Sequence, residues 1–327
     1  MTLPAAPGGT GFVTPGSLGY IRHTVSISPA LPVSRSRRAA STARAYFLLT
    51  KPRVIELLLV TTVPAMVLAA RRLPSLTLVL AVLVGGALAA GGANTINCWI
   101  ERDRDQMMRR THGRPLPAGA IRPRDALVFG VALEVAAFVW LWAGVNLLAA
   151  TLAVSAMLFY VFVYTIWLKP RSPQNIVIGG AAGAVPVLVG WAAVTGRLDA
   201  PAWVLFAIVF CWTPPHFWAL ALRYRDDYAA AGIPMLPVVR GTAVVARHIV
   251  AYALLVVAVT LSLLWFREMG AVYVVVAVVL GAAFIAQALH LARDTTPERA
   301  MQLFTFSNTY LALLFAAIAV DTLIRAY

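Results

Sequence analysis

Residues Asn97–Leu116 read NCWIERDRDQMMRRTHGRPL. They follow a long apolar run from Ser75 to Ile96, and they gather three acids and five arginines in a chain that is only 12% charged. Asn97, Glu101 and Asp105 are spaced i, i+4, i+8. On a helix such positions advance by only about 40° per step, so the three side chains share one face. An amide oxygen and two carboxylates on one face suit a hard divalent cation such as Mg²⁺, which takes oxygen ligands and is often shared with substrate phosphates. Arg109, Arg110 and Arg114 follow directly, and guanidinium forks match phosphate oxygens. One reading is a site for a metal-bound diphosphate at a membrane surface. The other is a charged loop that only sets topology.

Working outward, the 327 residues are 61% hydrophobic, with a mean hydropathy of +0.80. A soluble domain would be about half apolar and about a quarter charged. The composition therefore predicts an integral membrane protein, and its long Ala, Leu and Val runs favour helices over barrel strands. The net charge of +14 requires no nucleic acid, because the basic residues fall in loops, beside lipid headgroups or an anionic substrate. Cys98 and Cys211 lack zinc-ligand spacing and give no support to a disulfide.

Residues 1–44 are rich in Gly, Pro, Ser, Thr and Arg and contain no acid. They read as a disordered basic tail without a secretory signal. A mitochondrial transit peptide has a similar composition, but the tail has no clear amphipathic helix. The rest, 45–327, reads as one transmembrane domain. Spans are expected at Ala45–Ala70, Ser75–Asn97, Asp125–Val145, Leu147–Leu168, Asn175–Thr195, Ala200–Leu222, Val244–Phe266, Ala271–Leu291 and Leu303–Arg325. Each is long enough for a hydrocarbon core of about 30 Å. When basic residues at a span's end are counted with the adjoining loop, so that Lys51 and Arg53 go with the tail, the tail and the loops after even-numbered spans hold 22 of the 27 Lys and Arg. This bias predicts a cytoplasmic N-terminus and places both long polar loops, 100–124 and 223–243, in the cytoplasm.

Glu56 and Glu134 lie within expected spans, where ionisable groups are either functional or structural acids facing the bundle interior. Gly85, Gly86, Gly91, Gly92, Gly179, Gly180 and Gly183 read as helix-packing devices. The sixth span runs into CWTPPHFWALALRYRDDYAAAGIPML, Cys211–Leu236. Pro214 and Pro215 remove two backbone donors, so a kink or break is expected there. His216 among Trp212, Phe217 and Trp218 either faces a flat ligand such as a metalloporphyrin or bonds a freed carbonyl. Arg223, Arg225, Asp226, Asp227 and Tyr228 then repeat the pairing of carboxylates with guanidinium groups at the end of a span. The two polar clusters could face one another across one cavity. Their position at one membrane face, rather than at mid-bilayer, argues against a transport path.

These residues resemble a known family. N-C-W-I-E-R-D-R-D looks like the first Asp-rich motif of the UbiA superfamily of intramembrane prenyltransferases, N-D-x-x-D-x-x-x-D. Asn97, Glu101 and Asp105 fall on its Asn and its two spaced acids, while Cys98 stands where the pattern has Asp. RTHGRPLPAG (110–119), WTPPHFWAL (212–220), D-Y-x-x-x-G-I-P-M-L-P (227–237), NIVIGGAAGAVPVLVGWAAVTG (175–196) and KPRVIELLLVTTVPAM (51–66) resemble, within that superfamily, the protohaem IX farnesyltransferases. The likeness extends over roughly 45–325 and leaves the tail out.

The resemblance implies a nine-helix all-α bundle whose cytoplasmic loops cap a central cavity. It implies farnesyl transfer from farnesyl diphosphate to the 2-vinyl group of haem b, giving haem O, the precursor that haem A synthase consumes. The location it implies is a bacterial plasma membrane. On this reading Asn97, Glu101, Asp105 and Asp227 hold Mg²⁺ and act in catalysis. Arg109, Arg110, Arg114, Arg225, Lys51, Tyr228 and His216 bind the substrates. Cys98 and the W-T-P-P-H-F-W run argue against a quinone- or chlorophyll-precursor acceptor.

Overall fold

The structure, a computed structural model, describes residues 35–266 and 269–326. Among them every regular element is helical. In order these are α1 (Arg35–Leu49), α2 (Pro52–Ala70), α3 (Leu76–Met107), α4 (Pro123–Gly144) and α5 (Leu147–Leu158), which continues as a π-helical segment (Phe159–Leu168). They are followed by α6 (Asn175–Thr195), α7 (Ala200–Arg223), the short α8 (Arg225–Ala230) and α9 (Leu236–Arg240). The last are α10 (Thr242–Ser262) with a 3₁₀ turn (Leu263–Phe266), α11 (Ala271–Arg293) and α12 (Pro297–Ala326). Nine spans among the described residues are long and apolar enough to cross a membrane, as expected.

Four boundaries differ from the sequence reading by more than a few residues or in kind. The expected span Ala45–Ala70 is two helices, because Lys51 takes a left-handed conformation with φ 54° before Pro52; a residue preceding proline is pushed out of the right-handed helical region. α3 does not stop at Asn97 but carries the acidic row to Met107, since Glu, Arg and Gln are good helix formers. α12 starts at Pro297, before the expected Leu303, with proline at the helix start where its missing N–H is harmless. α1 takes in the last ten residues of the expected disordered tail; the tail before Arg35 lies outside the described residues. Of the kink or break expected in the sixth span, the break does not occur, and α7 runs on through Pro214 and Pro215.

Side chains close several helix ends. Asn146 Oδ1 accepts from Ala149 N at 2.8 Å, and its Nδ2 donates to Ala192 O at 2.8 Å, tying the start of α5 to the end of α6. Asp321 of α12 accepts from Gly270 N at 2.5 Å and Tyr273 N at 3.1 Å, satisfying two otherwise free donors at the start of α11.

α6 and α7 are the central helices: 56% and 67% of their apolar windows are buried, against 22–28% for the spans α3, α4, α5, α10 and α11. The larger core joins α2, α6 and α7 to α10, α11 and α12 through residues such as Trp218, Tyr273, Phe284, Tyr310 and Phe315. A second core joins α2 and α6 to α3, α4 and α5 through Met66, Val82, Leu141 and Val189. The contact of α2 with α6 is therefore the seam between two half-bundles. Outer faces expose residues such as Val128, Val135, Phe162 and Val275, as lipid contact requires. Glu56 is exposed on α2, whereas Glu134 is buried against Gly92 of α3.

The seam is held tight by Gly190, which the sequence reading did not single out. A Cβ there would lie 2.7 Å from Thr62 O on α2, while one at Gly183 of the same helix meets nothing within 4 Å. Gly190→Ala is thus expected to destabilise the protein by about 1–3 kcal/mol through overpacking. Gly183→Ala should be neutral or slightly stabilising. Thermal denaturation of the two variants in one detergent checks this; equal melting temperatures would mean that α2 and α6 do not meet as described.

Candidate active site

The last three turns of α3 place Asn97, Glu101 and Asp105 on one face, exposed by 1%, 3% and 3% respectively. A buried carboxylate needs a partner, and each has one. Lys169, just beyond the π-helical segment, pairs with Glu101. Arg114 Nη1 lies 2.7 Å from Asp105 Oδ2. Lys51 Nζ donates to Asn97 Oδ1 at 2.6 Å. Asn97 Nδ2 donates to Thr165 Oγ1 at 3.0 Å.

Local structure explains how these cations arrive. Residues Met108–Ala120 coil through successive backbone turns, with Thr111 Oγ1 donating to Asp105 O at 3.0 Å. This folding returns Arg114 to the helix it left. Lys51 sits at the elbow between α1 and α2, and α3 grips that elbow. Asn94 Nδ2 donates to Thr50 O at 3.0 Å, and the Cys98 thiol faces Leu49 O at 3.9 Å. Cys98, at the position of the motif's Asp, therefore serves the elbow and not the acidic row.

The cluster sets three basic side chains, Lys51, Arg114 and Lys169, against two carboxylates, and carries a positive surplus when Lys51 is protonated. Burial, reinforced by the charges of Arg114 and Lys169, lowers the pKa of Lys51 from its ordinary value. Burial also works against the Lys169 ammonium, but the Glu101 carboxylate outweighs it and holds Lys169 above the usual lysine range. Such a surplus attracts an anion.

The second polar stretch meets the first directly. Asp227 Oδ2 accepts from Arg110 N at 3.2 Å, and its Oδ1 lies 3.6 Å from Arg109 Nε. Arg110 lies over the Tyr224 ring at 5.5 Å and has Nη2 3.5 Å from Tyr228 Oη. Asp227 thus braces the loop that carries Arg114. Arg225 is exposed on α8 and, among the described residues, makes no ion pair.

His216 stands apart from both groups. Its ring is sandwiched between Trp212 and Phe304, with centroids at 4.2 and 4.4 Å. Its Nδ1 is 2.8 Å from Ser307 Oγ on α12. Ser307 gives its own proton to Phe304 O at 2.7 Å, so Nδ1 carries the hydrogen in this bond. His216 does not bond a carbonyl freed by the two prolines.

Sequence reasoning missed Lys169 and Thr165. The signal for Lys169 was its place among basic residues on the loop side of the row. Nothing in the spacing linked it to Glu101.

Among the described residues no three His, Cys, Asp or Glu side chains group into a metal cage. The donor set still fits Mg²⁺. Asn97, Glu101 and Asp105 offer hard oxygen atoms, and magnesium is commonly bound by one or two carboxylates together with substrate phosphates. Lys169 and Arg114 hold those carboxylates in this structure, so a metal would take them by opening these pairs.

The sequence pattern of the UbiA prenyltransferase family matches residues 58–315. Protoheme IX farnesyltransferase of Parafrankia sp. (strain EAN1pec) is 54% identical over 297 residues, covering 90% of this chain and 95% of its own. Protoheme IX farnesyltransferase 2 of Saccharopolyspora erythraea is 53% identical over 305 residues, covering 92% and 94%. Two solved structures share the fold. Digeranylgeranylglyceryl phosphate synthase superposes with a TM-score of 0.71 at 18% identity, over 86% of this chain and 99% of that one. A UbiA homologue from Archaeoglobus fulgidus bound to GPP and Mg²⁺ gives 0.59 at 18% identity, over 84% and 99%.

The buried pair of Lys169 and Glu101 makes a prediction of its own. Lys169→Met leaves a carboxylate buried without its cation and should cost about 3–5 kcal/mol. Adding Glu101→Gln removes that charge and should recover much of the loss. Thermal unfolding of the single and double variants is the measurement; a double variant no more stable than Lys169→Met would contradict the pairing.

Proposed function

Because the chain belongs to the UbiA prenyltransferase family, we propose that it joins the farnesyl group of farnesyl diphosphate to the 2-vinyl group of haem b, giving haem O. The observation that carries this reading is kinship: relatives 53% and 54% identical over at least 90% of the chain bear the name protoheme IX farnesyltransferase. In the reaction the allylic C–O bond breaks and its electron pair leaves with diphosphate. The vinyl π electrons form the new C–C bond to the farnesyl carbon. Water adds to the vinyl carbon next to the porphyrin, loses a proton and leaves the hydroxyl group.

The residues divide the work. Lys51, Arg114 and Lys169, with Arg109 and Arg110 on the loop, bind the diphosphate and offset the charge that grows on it. Fixed cations there favour the transition state over the ground state. Asn97, Glu101 and Asp105, with Asp227 at the loop, are the oxygen donors that would hold Mg²⁺. When bound, the metal adds further positive charge against the leaving group. Tyr228 orients Arg110. The excess of Lys and Arg on this side supports a cytoplasmic site and N-terminus in a bacterial plasma membrane. Haem O is the precursor of haem A, so haem A synthase is the enzyme that takes the product.

Membranes containing the chain, supplied with farnesyl diphosphate and either haem b or 4-hydroxybenzoate at varied Mg²⁺, test the reading. A hydroxyethylfarnesyl haem is expected, and prenylation of 4-hydroxybenzoate alone would overturn it. Glu101→Gln and Asp105→Asn should each lower turnover by about 10²–10³, as loss of one well-placed electrostatic contact does, with little change in haem affinity. Arg114→Lys should also be costly, because an ammonium does not reproduce a bidentate contact. Unaltered turnover in both carboxylate variants would reduce Asn97–Leu116 to a topogenic segment.

His216 is expected to act through packing of α7 on α12. His216→Ala should destabilise by about 1–3 kcal/mol, the cost of a lost buried hydrogen bond, and leave the absorption of bound haem unchanged. A shifted Soret band at unaltered stability would instead assign it to the iron.

A further inference from the structure

Thr165 is completely buried in the π-helical segment. Its hydroxyl is 2.8 Å from Tyr160 O and 3.0 Å from Asn97 Nδ2. A carbonyl only accepts, so the hydroxyl proton is committed to Tyr160 O, and Thr165 Oγ1 faces Asn97 as an acceptor. On its other side Asn97 meets Lys51 Nζ at 2.6 Å, a group that only donates. The two neighbours therefore admit one orientation of the amide: NH₂ toward Thr165, and the carbonyl oxygen toward Lys51 and the charged cluster.

The π register is part of this arrangement. Buried threonines within α-helices here, such as Thr95, Thr213 and Thr322, bond the carbonyl four residues back, at Gly91, Val209 and Ile318. Thr165 bonds the carbonyl five residues back, the spacing of a π turn. In an α register the hydroxyl would be aimed differently. The same segment is followed at once by Lys169, the partner of Glu101. π-helical turns are uncommon and frequently mark functional sites.

We propose that Thr165 is a positioning residue that, through the relay Tyr160 O–Thr165–Asn97, keeps the Asn97 carbonyl oxygen turned into the cluster as a donor for the divalent cation. This rests on the proposed reading of the row as a metal–diphosphate site. Partners that orient ligands in this way commonly change metal affinity by about 10–100-fold when removed. If the hydroxyl served only to satisfy the Tyr160 carbonyl, its loss would lower stability and leave metal binding alone.

The test is Mn²⁺ binding by electron paramagnetic resonance to purified, folded protein in the presence of inorganic diphosphate, which needs no turnover. Thr165→Val is expected to weaken Mn²⁺ binding by about tenfold or more, and Thr165→Ser, which keeps the hydroxyl, to stay near wild type. Where Asn97→Ala has already weakened binding, adding Thr165→Val should change little, because the effect passes through that amide. Should the valine variant fail to fold, Thr165→Ala against Thr165→Ser gives the same comparison. Wild-type Mn²⁺ affinity in the variants lacking the hydroxyl would overturn the proposal while leaving the metal site intact. No Mn²⁺ binding by the wild type with diphosphate present would overturn the metal-site reading, and this inference with it.

Discussion

Glu101 and Asp105 are buried carboxylates at the end of a membrane helix, and neither stays charged there alone. Desolvating such a group costs on the order of several kcal/mol unless a cation and hydrogen bonds compensate. The compensation comes from separate pieces of chain: Lys169 from the end of the π-helical segment for Glu101, and Arg114 from the loop after α3 for Asp105. Lys51, from the elbow before α2, holds the neighbouring Asn97. Two negative charges thus organise one end of the bundle. Three basic side chains answer them, so an anion that keeps Lys51 protonated is favoured there, and this property links the fold to phosphate chemistry.

The rest of the molecule holds that end still. α2 and α6 meet at Gly190, so the two half-bundles share a backbone-close seam. α4 fixes α3 through Gly92 and Gly130, five residues before Asn97; a Cβ at Gly92 would be 2.9 Å from Gly130 O. Farther along, Asp227 ties α8 to the backbone of the loop that delivers Arg114. The site is therefore built on helix ends and braced loops, where small displacements of its charges are resisted by packing.

Much of this was legible in the sequence because its signals are local. Apolar runs mark the spans, and a charged i, i+4, i+8 row stands out in a chain with few charges. What was not legible depends on geometry between distant segments. Lys169 meets Glu101 only because a π-helical segment sets its register, and hydropathy carries no trace of that register. Likewise, His216 finds Ser307, 91 residues away, where local reasoning offered a flat ligand or the carbonyls beside Pro214 and Pro215. Proline removes donors locally, yet α7 is not broken at Pro214 and Pro215, because tertiary packing on α6, α10 and α12 keeps it continuous. Glu56 and Glu134 look alike in sequence, yet one is exposed and the other buried, since burial depends on which neighbour each helix face meets.

A prenyl diphosphate is expected to bind the buried cluster at the end of α3. The most direct measurement is a structure of the purified protein with Mg²⁺ and farnesyl thiodiphosphate, whose sulfur bridge slows cleavage. Diphosphate density is expected beside Lys51, Arg114 and Lys169, with Glu101 and Asp105 turned to the metal. Diphosphate bound elsewhere, with the pairs of Glu101 with Lys169 and Asp105 with Arg114 intact, would contradict it.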